Sequence, residues 1–583
     1  MTATASHARA ASSDATFDVF ARHDLTPLPA GQVRAALELI DATTVADQTG
    51  RWRSIDRASH RKGGRPALIS DRAVLAVYLI LALAHQPLHA TRVAEVIAHR
   101  LTPETRKMLG ITTTSGTEQQ WYTRAWRAIH RVFDVIDPYP ARRNRILTED
   151  EIAATRAARD PHLQAERELR LNWFGNHLID ASWKLLPRQV SDRWKGNVCI
   201  DATPVPTFAR PSTERSPSTL EPDAAWYVRE GDHRDRGDAK GRKKGKALFG
   251  WETHIVVATT NDPALPANFP LIATGMSFER PGCQIAENTT GIFASMRDRG
   301  MPIGAATGDR AYWSNSEVTK LQLPVRAMGW RNVNDYKETE LGIQAGHGGG
   351  IMVEGNWYCP SMPEPLVTAT HDHRVGKTIS ETVWRERISQ RTRYLLKPKE
   401  NADADGNQPL RCPAVGPSAT VACPLRPTSL TPVTKVALRA RVTSPPEHPD
   451  RICTQTSVTF PPSAGAKYRQ DLQYGTDEWQ AWYATARNTI EGFNGYTKSG
   501  AHEALADASR RRLCGRTAQH VLTSLLILAA NVRKIRTFNT IQANPTKIAQ
   551  IAVRRETRRR RETILDHLPP STAPPGTPAI ATA

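Results

Sequence analysis

The chain has 583 residues, 39% of them hydrophobic and 23% charged, a composition typical of a globular rather than a disordered protein. Lys and Arg total 78 against 58 Asp and Glu, and the net charge of +20 favours a polyanionic partner, either nucleic acid or an acidic membrane surface. Seven cysteines argue against a disulfide scaffold, and the longest apolar run, residues 73–84, is too short to span a bilayer. We therefore expect a cytoplasmic protein without a membrane segment.

Residues 1–65 are polar, weakly patterned and basic towards their end, so we expect a flexible N-terminal segment there. Residues 66–150 are predicted to form an all-α domain, whose first helix follows the N-cap pair Ser70 and Asp71. Its three helices are expected over residues 71–84, 90–100 and 118–135. Short helices joined by tight turns are typical of helix-turn-helix DNA binding, and we interpret the domain in this way. A helical packing domain with a basic surface explains the pattern nearly as well.

Residues 151–325 change to an α/β pattern. A short apolar run over residues 198–200 ends on Asp201. A strongly basic loop over residues 233–247 follows, and it includes Lys243, Lys244 and Lys246. Further strands are expected over residues 249–260, 271–278 and 303–307, with a helix over 285–299. Strands that alternate with a helix predict a mixed α/β sheet flanked by helices, and Asp309 directly follows its last strand.

The remaining chain divides into three parts. Residues 326–470 are rich in Pro and Gly with short β-like runs, so we predict a mainly β insertion. Residues 471–550 return to a helical pattern and are expected to complete the α/β domain. Residues 551–583 begin with an arginine run and end in Pro, Thr and Ala, which predicts a basic disordered tail.

Three carboxylates have a context that suggests chemistry. Asp201 and Asp309 each end an apolar strand, and carboxylates at strand ends point to the edge of a sheet where ligands and metals bind. Glu491 lies in a predicted helix on one face with Arg487 and Lys498. Relative to Arg487, the angular offset is about 40° for Glu491 and about 20° for Lys498. Convergent carboxylates can hold two Mg²⁺ ions for phosphoryl chemistry. Taken singly, each Asp also fits a turn or N-cap residue, and the helix face also fits a solvated ion pair.

Three sequence blocks then point to a family. NVCIDATPV, TGDRAYW and YATARNTIEGFNGYTK occur in this order. They resemble the three catalytic blocks of the DDE transposases of bacterial insertion sequences, enzymes that resemble ribonuclease H in fold. The last block is similar to the tyrosine–arginine–glutamate–lysine signature of one large group, and Arg487, Glu491 and Lys498 match its spacing. Tyr483 departs from it, because three residues rather than two separate Tyr483 from Arg487.

The resemblance implies an α/β fold with a ribonuclease H-like mixed sheet, and metal-dependent DNA cleavage and strand transfer at the ends of an insertion sequence. Asp201, Asp309 and Glu491 would be the catalytic residues and would bind two Mg²⁺ ions, for which Mn²⁺ could substitute. The DNA-binding residues would be Arg487, Lys498, Lys243, Lys244 and Lys246. The expected partners are double-stranded DNA of the element ends and target, and a second copy of the chain on that DNA in the nucleoid. An inactive or domesticated DNA-binding relative, or a structure-specific nuclease on the same fold, are the alternatives.

The insertion also contains four cysteines, Cys359, Cys412, Cys423 and Cys453. They could form a tetrahedral zinc site, with His371 or His373 as substitute ligands. No C-x-x-C pair occurs and the gap between Cys412 and Cys423 is wide, so we expect free buried cysteines and no stoichiometric zinc.

Three tryptophans of the same region, Trp330, Trp357 and Trp384, are candidates for stacking on a displaced base. Tryptophans of this kind are more often core residues.

Overall fold

The computed structural model describes residues 25–57, 67–142, 145–229, 246–416, 418–426, 439–544 and 546. The part before the central sheet is helical. Its helices are α1 Ala30–Asp41, α2 Val45–Arg57, α3 Asp71–Leu83, α4 Ala90–Glu95, α5 Pro103–Met108, α6 Glu118–Phe133, α7 Glu149–Ala157, α8 Pro161–Asp180 and α9 Arg188–Ser191. α4 continues as a π-helical turn over Val96–Arg100. The predicted all-α character of this region is confirmed for the described residues.

The prediction of a flexible segment over residues 1–65 was wrong for residues 30–57, which form α1 and α2. In α1, Val33, Ala36, Leu37 and Ile40 are buried, and their spacing of three, one and three residues is that of one helix face. The surrounding polar residues hid this short pattern in the sequence. Residues 1–24 lie outside the described residues.

The helical part shares one hydrophobic core with the sheet rather than forming a separate domain. Buried residues of α3, such as Val77 and Leu81, belong to the same cluster as Trp251 and Ile255 of the sheet and Leu525 of the last helix. Backbone hydrogen bonds also join the two parts, as between Leu88 N and Arg510 O at 2.9 Å. Removing the helices would therefore expose apolar surface on the rest of the protein.

The central sheet has six strands: β1 Val198–Pro206, β2 Ala225–Arg229, β3 Lys246–Ala258, β4 Ala273–Glu279, β5 Ala305–Gly308 and β6 Arg331–Val333. Their order in the sheet is β2-β3-β1-β5-β6, and β4 also pairs with β3. β3 pairs antiparallel with β1, β2 and β4. β1 and β5 are parallel, as are β5 and β6. The predicted mixed α/β sheet is thereby confirmed.

The helices of the α/β part fall into two groups, one before the insertion in the sequence and one after it. The first group consists of α10 Ile285–Asp298, α11 Arg310–Trp313 and α12 Gln322–Ala327. The last two helices are α17 Asp477–Lys498 and α18 Arg516–Gln542. α10 and α17 match the predicted helices to within one or two residues, because both carry a clear apolar face.

The insertion is mixed rather than mainly β, so that prediction was wrong in part. In the described part of the insertion, the strands form three small sheets: β7 Ile343–His347 with β8 Gly350–Val353 and β9 Asn356–Tyr358; β10 Lys397–Pro398 with β11 Gln408–Arg411 and β14 Val458–Phe460; and β12 Val421–Ala422 with β13 Ala440–Arg441. Its helices are α13 Glu364–Val367, α14 Ala369–His371, α15 Glu381–Arg391 and α16 Arg451–Thr454. In α15, the Ser380 hydroxyl caps the N-terminus and Trp384 and Ile388 are buried one turn apart, a local signal that the Pro and Gly content obscured.

Trp330, Trp357 and Trp384 are 2%, 7% and 4% exposed, so they are core residues and are not available for stacking on a base in this conformation. The chain divides into a compact unit, Met1–Val532, and a second unit, Arg533–Ala583, which begins within α18. The predicted disordered tail, 551–583, lies outside the described residues. Among the described residues, no helix is long and apolar enough to cross a membrane.

A buried arginine ties three elements of this architecture together. Arg516 at the start of α18 is 3% exposed and donates two hydrogen bonds to Phe278 O, at 2.7 and 3.0 Å. It also forms ion pairs with Glu279 of β4, at 2.9 Å, and with Glu168 of α8. Because Glu279 is 4% exposed, losing the arginine would leave a buried carboxylate without its counter-charge.

We expect Arg516→Met to lower stability by about 3–5 kcal/mol, since breaking a buried ion pair leaves an uncompensated charge. The unfolding midpoint of the full chain in thermal denaturation measures this. Arg188→Met is the matched control, because Arg188 and Asp192 form an ion pair with side chains 92% and 64% exposed. The control should change stability by less than about 1 kcal/mol. Equal effects of the two substitutions would contradict the role assigned to Arg516.

Candidate functional site

Parallel pairing of β1 and β5 brings two acidic residues to neighbouring positions at one edge of the sheet. Ile200 pairs with Gly308, so Asp201 and Asp309 are the next residues on adjacent strands. Gly308 permits this approach, because a Cβ there would lie 2.9 Å from Trp313 Nε1 and 3.1 Å from Ile200 Cγ2. The two aspartates therefore lie close together, as the sequence predicts. The prediction that Asp201 ends its strand was wrong, because residues 202–206 continue to pair with β3 and β1 extends to Pro206.

The Asp309 side chain is fixed by a hydrogen bond at the start of α11. It is the N-cap residue of this short helix, and its Oδ1 accepts a 2.9 Å hydrogen bond from Ala311 N. The N-cap role, which we considered as the alternative to a catalytic one, is therefore present. It leaves the second carboxylate oxygen of Asp309 available for another partner, since a carboxylate can accept several bonds.

Helix α17 presents the third acidic residue across from the sheet. The Arg487 guanidinium lies between two carboxylates, with Nη2 at 3.1 Å from Glu491 Oε1 and Nη1 at 4.0 Å from Asp201 Oδ1. The Glu491 side chain is 61% exposed, whereas those of Arg487 and Asp201 are 19% and 20% exposed. Arg487 thus bridges the sheet carboxylate and the helix carboxylate.

Asn494, one turn beyond Glu491, also reaches the site. Its Nδ2 donates a 3.1 Å hydrogen bond to Asp201 Oδ2, and its residue is 4% exposed. Its Oδ1 is buried and receives no hydrogen bond from the described part of the chain. The site therefore contains a buried amide oxygen without a donor beside a partly buried carboxylate.

The electrostatic balance of the site is negative. Burial raises the pKa of Asp201 to about 6; the positive charges of Arg487 and Lys498 lower it, and the negative charge of Asp309 raises it. Burial also raises the pKa of Glu252 on β3, and the charges of Asp201 and Asp309 add to this effect. Negative charges that raise the pKa of neighbouring carboxyl groups favour binding of a cation among them.

A buried pair supports α11 from the sheet. The ring Nδ1 of His254 on β3 lies 2.7 Å from the Tyr312 hydroxyl, and both residues are at most 2% exposed. His254 pairs in register with Ala202, the residue after Asp201, while Tyr312 lies in the helix that Asp309 caps. This contact therefore positions the two aspartates relative to each other.

A second network links the site to the insertion. Asp335 is 7% exposed and accepts hydrogen bonds from Arg310, at 3.0 Å, from Arg374, at 3.1 Å, and from the Tyr474 hydroxyl, at 2.5 Å. Arg310 directly follows Asp309, whereas Arg374 belongs to the insertion. Movement of the insertion would therefore be transmitted to the residue beside Asp309.

The remaining predicted site residues have different outcomes. Lys498 ends α17 on the side of the site, since its charge acts on Asp201. Lys243 and Lys244 lie outside the described residues, and Lys246 begins β3 with a side chain that is not described. Tyr483, which departs from the family spacing, stacks on Trp479 with ring centroids 4.9 Å apart.

Sequence reasoning missed Asn494, His254 and Asp335. Asn494 could have been found, because it lies seven residues after Arg487 and therefore on the same helix face. His254 and Asp335 carried no such signal, since their partners are distant in the sequence.

The oxygen-rich donor set agrees chemically with Mg²⁺, which prefers carboxylate and carbonyl ligands. Asp201, Asp309 and Glu491 supply carboxylates, and Asn494 supplies the amide oxygen that lacks a donor. In the described residues, however, no three His, Cys, Asp or Glu side chains are placed closely enough to hold a metal ion as they stand. Glu491 would have to exchange its contact with Arg487 for a contact with the metal.

Comparison with known proteins assigns no relative to this chain. No family model matches it, and no curated protein or solved structure gives a significant match.

Asp201→Asn tests the electrostatic strain of the site without metal. A carboxyl whose pKa is raised on folding contributes stability below its unfolded pKa, and this contribution is lost as the pH rises through about 6. At pH 8 the ionised Asp201 therefore destabilises the fold, by up to about 3 kcal/mol. We expect Asp201→Asn to raise the thermal midpoint at pH 8 in chelator, with the gain shrinking towards pH 5.

The control for this measurement is Asp298→Asn, since the Asp298 side chain is 65% exposed. It should give no gain that depends on pH in this range. A pH-independent effect of Asp201→Asn would show that burial of the carboxylate does not strain the fold.

Proposed function

We propose that this protein is a DDE transposase, which cleaves DNA at the ends of its insertion sequence and joins them to a target. The observation that carries the proposal is the juxtaposition of Asp201, within β1, and Asp309, which directly follows the parallel strand β5. Opposite them, α17 presents Arg487, Glu491 and Lys498, the three residues that match the family signature.

The arrangement of the sheet supports a ribonuclease H-like catalytic domain. Three antiparallel neighbours, β4, β3 and β1, continue into the parallel strands β5 and β6. The first aspartate lies on the central strand β1 and the second follows its parallel neighbour. The insertion enters after β6 and returns to α17, in agreement with the long interval between Asp309 and Glu491.

Each residue of the site would have a separate role in phosphodiester cleavage. Bound Mg²⁺ would activate the attacking hydroxyl and stabilise the leaving oxygen. Asp201 and Asp309 would hold the metal from the rigid sheet, and Glu491 would complete the set from the helix. The His254–Tyr312 contact fixes the two aspartates relative to each other. Arg487, once released from Glu491, would be free to pair with a phosphate of the scissile strand.

Further cations around the site suit a DNA substrate. Lys498 ends α17 beside the carboxylates, and Arg310 has a side chain that is 49% exposed next to Asp309. The net charge of +20 would add affinity that does not depend on sequence and that weakens with salt. We propose that two copies act together on paired DNA ends, as cleavage and joining of both ends require.

Glu491→Gln is the sharpest test of the proposal. The substitution keeps the size of the side chain and removes a charge that a metal ion requires, so Mg²⁺-dependent cleavage should fall at least about 100-fold. DNA binding should persist, because a negative charge near the phosphates is lost. The assay uses the full chain and a supercoiled plasmid that carries the DNA flanking the gene on both sides. It scores nicks and joined products, and fluorescence anisotropy measures binding to the same flanking sequences.

Glu478→Gln is the matched control, since Glu478 is an exposed glutamate of the same helix, thirteen residues before Glu491. It should retain full activity. Full activity of Glu491→Gln would refute the assignment of the third carboxylate. Binding without cleavage by the unmodified protein would instead favour a domesticated DNA-binding relative, and cleavage without joined products would favour a nuclease.

A further inference from the structure

Four cysteines of the insertion follow a common structural pattern. Cys359 directly follows β9, Cys412 follows β11 and Cys423 follows β12, while Cys453 lies in the short helix α16. They are separated by 53, 11 and 30 positions in the sequence. Three of the four thus stand at the end of a strand, where the chain turns.

Each of these three cysteines begins a Cys-Pro turn. The sequences are CPSM from Cys359, CPAV from Cys412 and CPLR from Cys423. In each turn the backbone N–H three residues on donates to the cysteine carbonyl, at 3.0, 3.1 and 3.0 Å. Proline in the second position restricts φ to the value that such a turn requires. Three repeats of one turn around cysteine are not required by packing alone.

In two of the turns the local backbone acts on the thiol. Burial raises the pKa of Cys359 and of Cys412, whereas hydrogen bonding from Ser361 lowers the first and hydrogen bonding from the Ala414 backbone lowers the second. Hydrogen bonds of this kind stabilise a thiolate, the form in which cysteine binds metal. Donors to a ligand atom from outside the metal site are a regular feature of metal centres.

The strand pairing brings the turns at Cys359 and Cys412 together. Cys359 N donates a 2.9 Å hydrogen bond to Tyr394 O. Three residues further along that segment, Lys397 pairs with Arg411, the residue before Cys412. One segment of chain therefore contacts both cysteine turns.

A side chain joins the turn at Cys423 to the chain that follows Cys453. Arg426 closes the turn that begins at Cys423, and its Nη2 donates a 2.7 Å hydrogen bond to Gln455 O, two residues after Cys453. Its charge also lowers the pKa of Cys412 and Cys453, against the effect of burial, so the cation lies near both thiols.

The four thiols form one neighbourhood. Burial raises the pKa of Cys359 to about 12, and the nearby thiols of Cys412 and Cys453 raise it further. Burial raises the pKa of Cys453 to about 11, and the nearby thiols of Cys412 and Cys423 raise it further. Cys359, Cys412 and Cys453 are 4–7% exposed and Cys423 is half-buried. The surrounding strands have only two to five residues each, and the buried residues around the thiols fall into two small clusters rather than one continuous core.

We propose that Cys359, Cys412, Cys423 and Cys453 bind one structural Zn²⁺ ion, which holds the small sheets of the insertion together. Thiolate is the ligand that selects zinc in a tetrahedral site, and each thiol that binds releases its proton to solvent. Because no three such side chains among the described residues are yet at ligand distance, the sulfurs would close up on binding. This inference replaces the sequence-based expectation of free cysteines and is independent of the proposed function.

The test is elemental analysis of the full chain, purified without chelator and under reducing conditions. We expect about one zinc per chain, as a four-thiolate site holds one ion. Cys359→Ser and Cys412→Ser should each lose it. Cys283→Ser is the matched control and should retain it, since Cys283 is exposed and lies outside the insertion. Asp309→Asn should also retain the zinc, which separates this site from the carboxylates.

Cobalt supplies a second measurement that does not depend on the purified protein already containing zinc. Reconstitution of the reduced, metal-free chain with Co²⁺ should give the visible and near-ultraviolet absorption bands of a tetrahedral thiolate complex. Absence of both zinc and these bands would overturn the proposal. So would retention of zinc in Cys412→Ser, or two disulfides among the four cysteines in protein purified without reductant.

Discussion

The parallel pairing of β1 with β5 is the constraint on which the candidate site depends. It aligns Ile200 with Gly308 and so places Asp201, within β1, beside Asp309, which directly follows β5. Two carboxylates in this arrangement repel each other. Burial of Asp201 adds to the cost of its negative charge, because little water remains to stabilise that charge. The fold accepts this unfavourable term because the sheet on either side is fully packed. Such local strain is characteristic of a site that is completed by a ligand.

Arg487 resolves part of this imbalance within the protein. Its guanidinium stands between Asp201 and Glu491, at 4.0 and 3.1 Å. In the absence of metal, the positive charge of Arg487 therefore balances part of the negative charge of Asp201. The same side chain also holds Glu491 in its exposed position. Binding of a cation and binding of a phosphate would both compete for these contacts. The proposed metal and DNA would then be coupled through one residue, each making it easier for the other to bind.

The insertion is connected to the site rather than appended to it. Asp335 joins Arg310 beside Asp309, Arg374 of the insertion and Tyr474 before α17. A buried carboxylate with two arginine partners requires each of them to remain in place, because loss of one leaves charge uncompensated. Ordering of the insertion, for which we infer a zinc ion, would thus also order the start of α11. The helical part before the sheet is bound equally firmly, through a shared core.

The sequence by itself determined the features that depend on local patterns. The helical period predicts α10, α17 and the common face of Arg487 and Glu491. Short apolar runs predict the strand that contains Asp201 and the strand that precedes Asp309. Helix α1 was missed because its apolar face is short and surrounded by polar residues, and α15 because the insertion is rich in Pro and Gly.

Only the tertiary structure decided which distant residues meet. Asn494 contacts Asp201 across 293 positions and His254 contacts Tyr312 across 58. The helix spacing places Asn494 on the face of Arg487, but nothing local in the sequence identifies the partner of either residue. The four cysteines likewise lack a C-x-x-C pair, yet strand pairing and one arginine connect the segments that contain them. The physical reason is the same in each case. A contact between segments depends on the register of strands and the packing of helices, which the whole chain sets and no local stretch encodes.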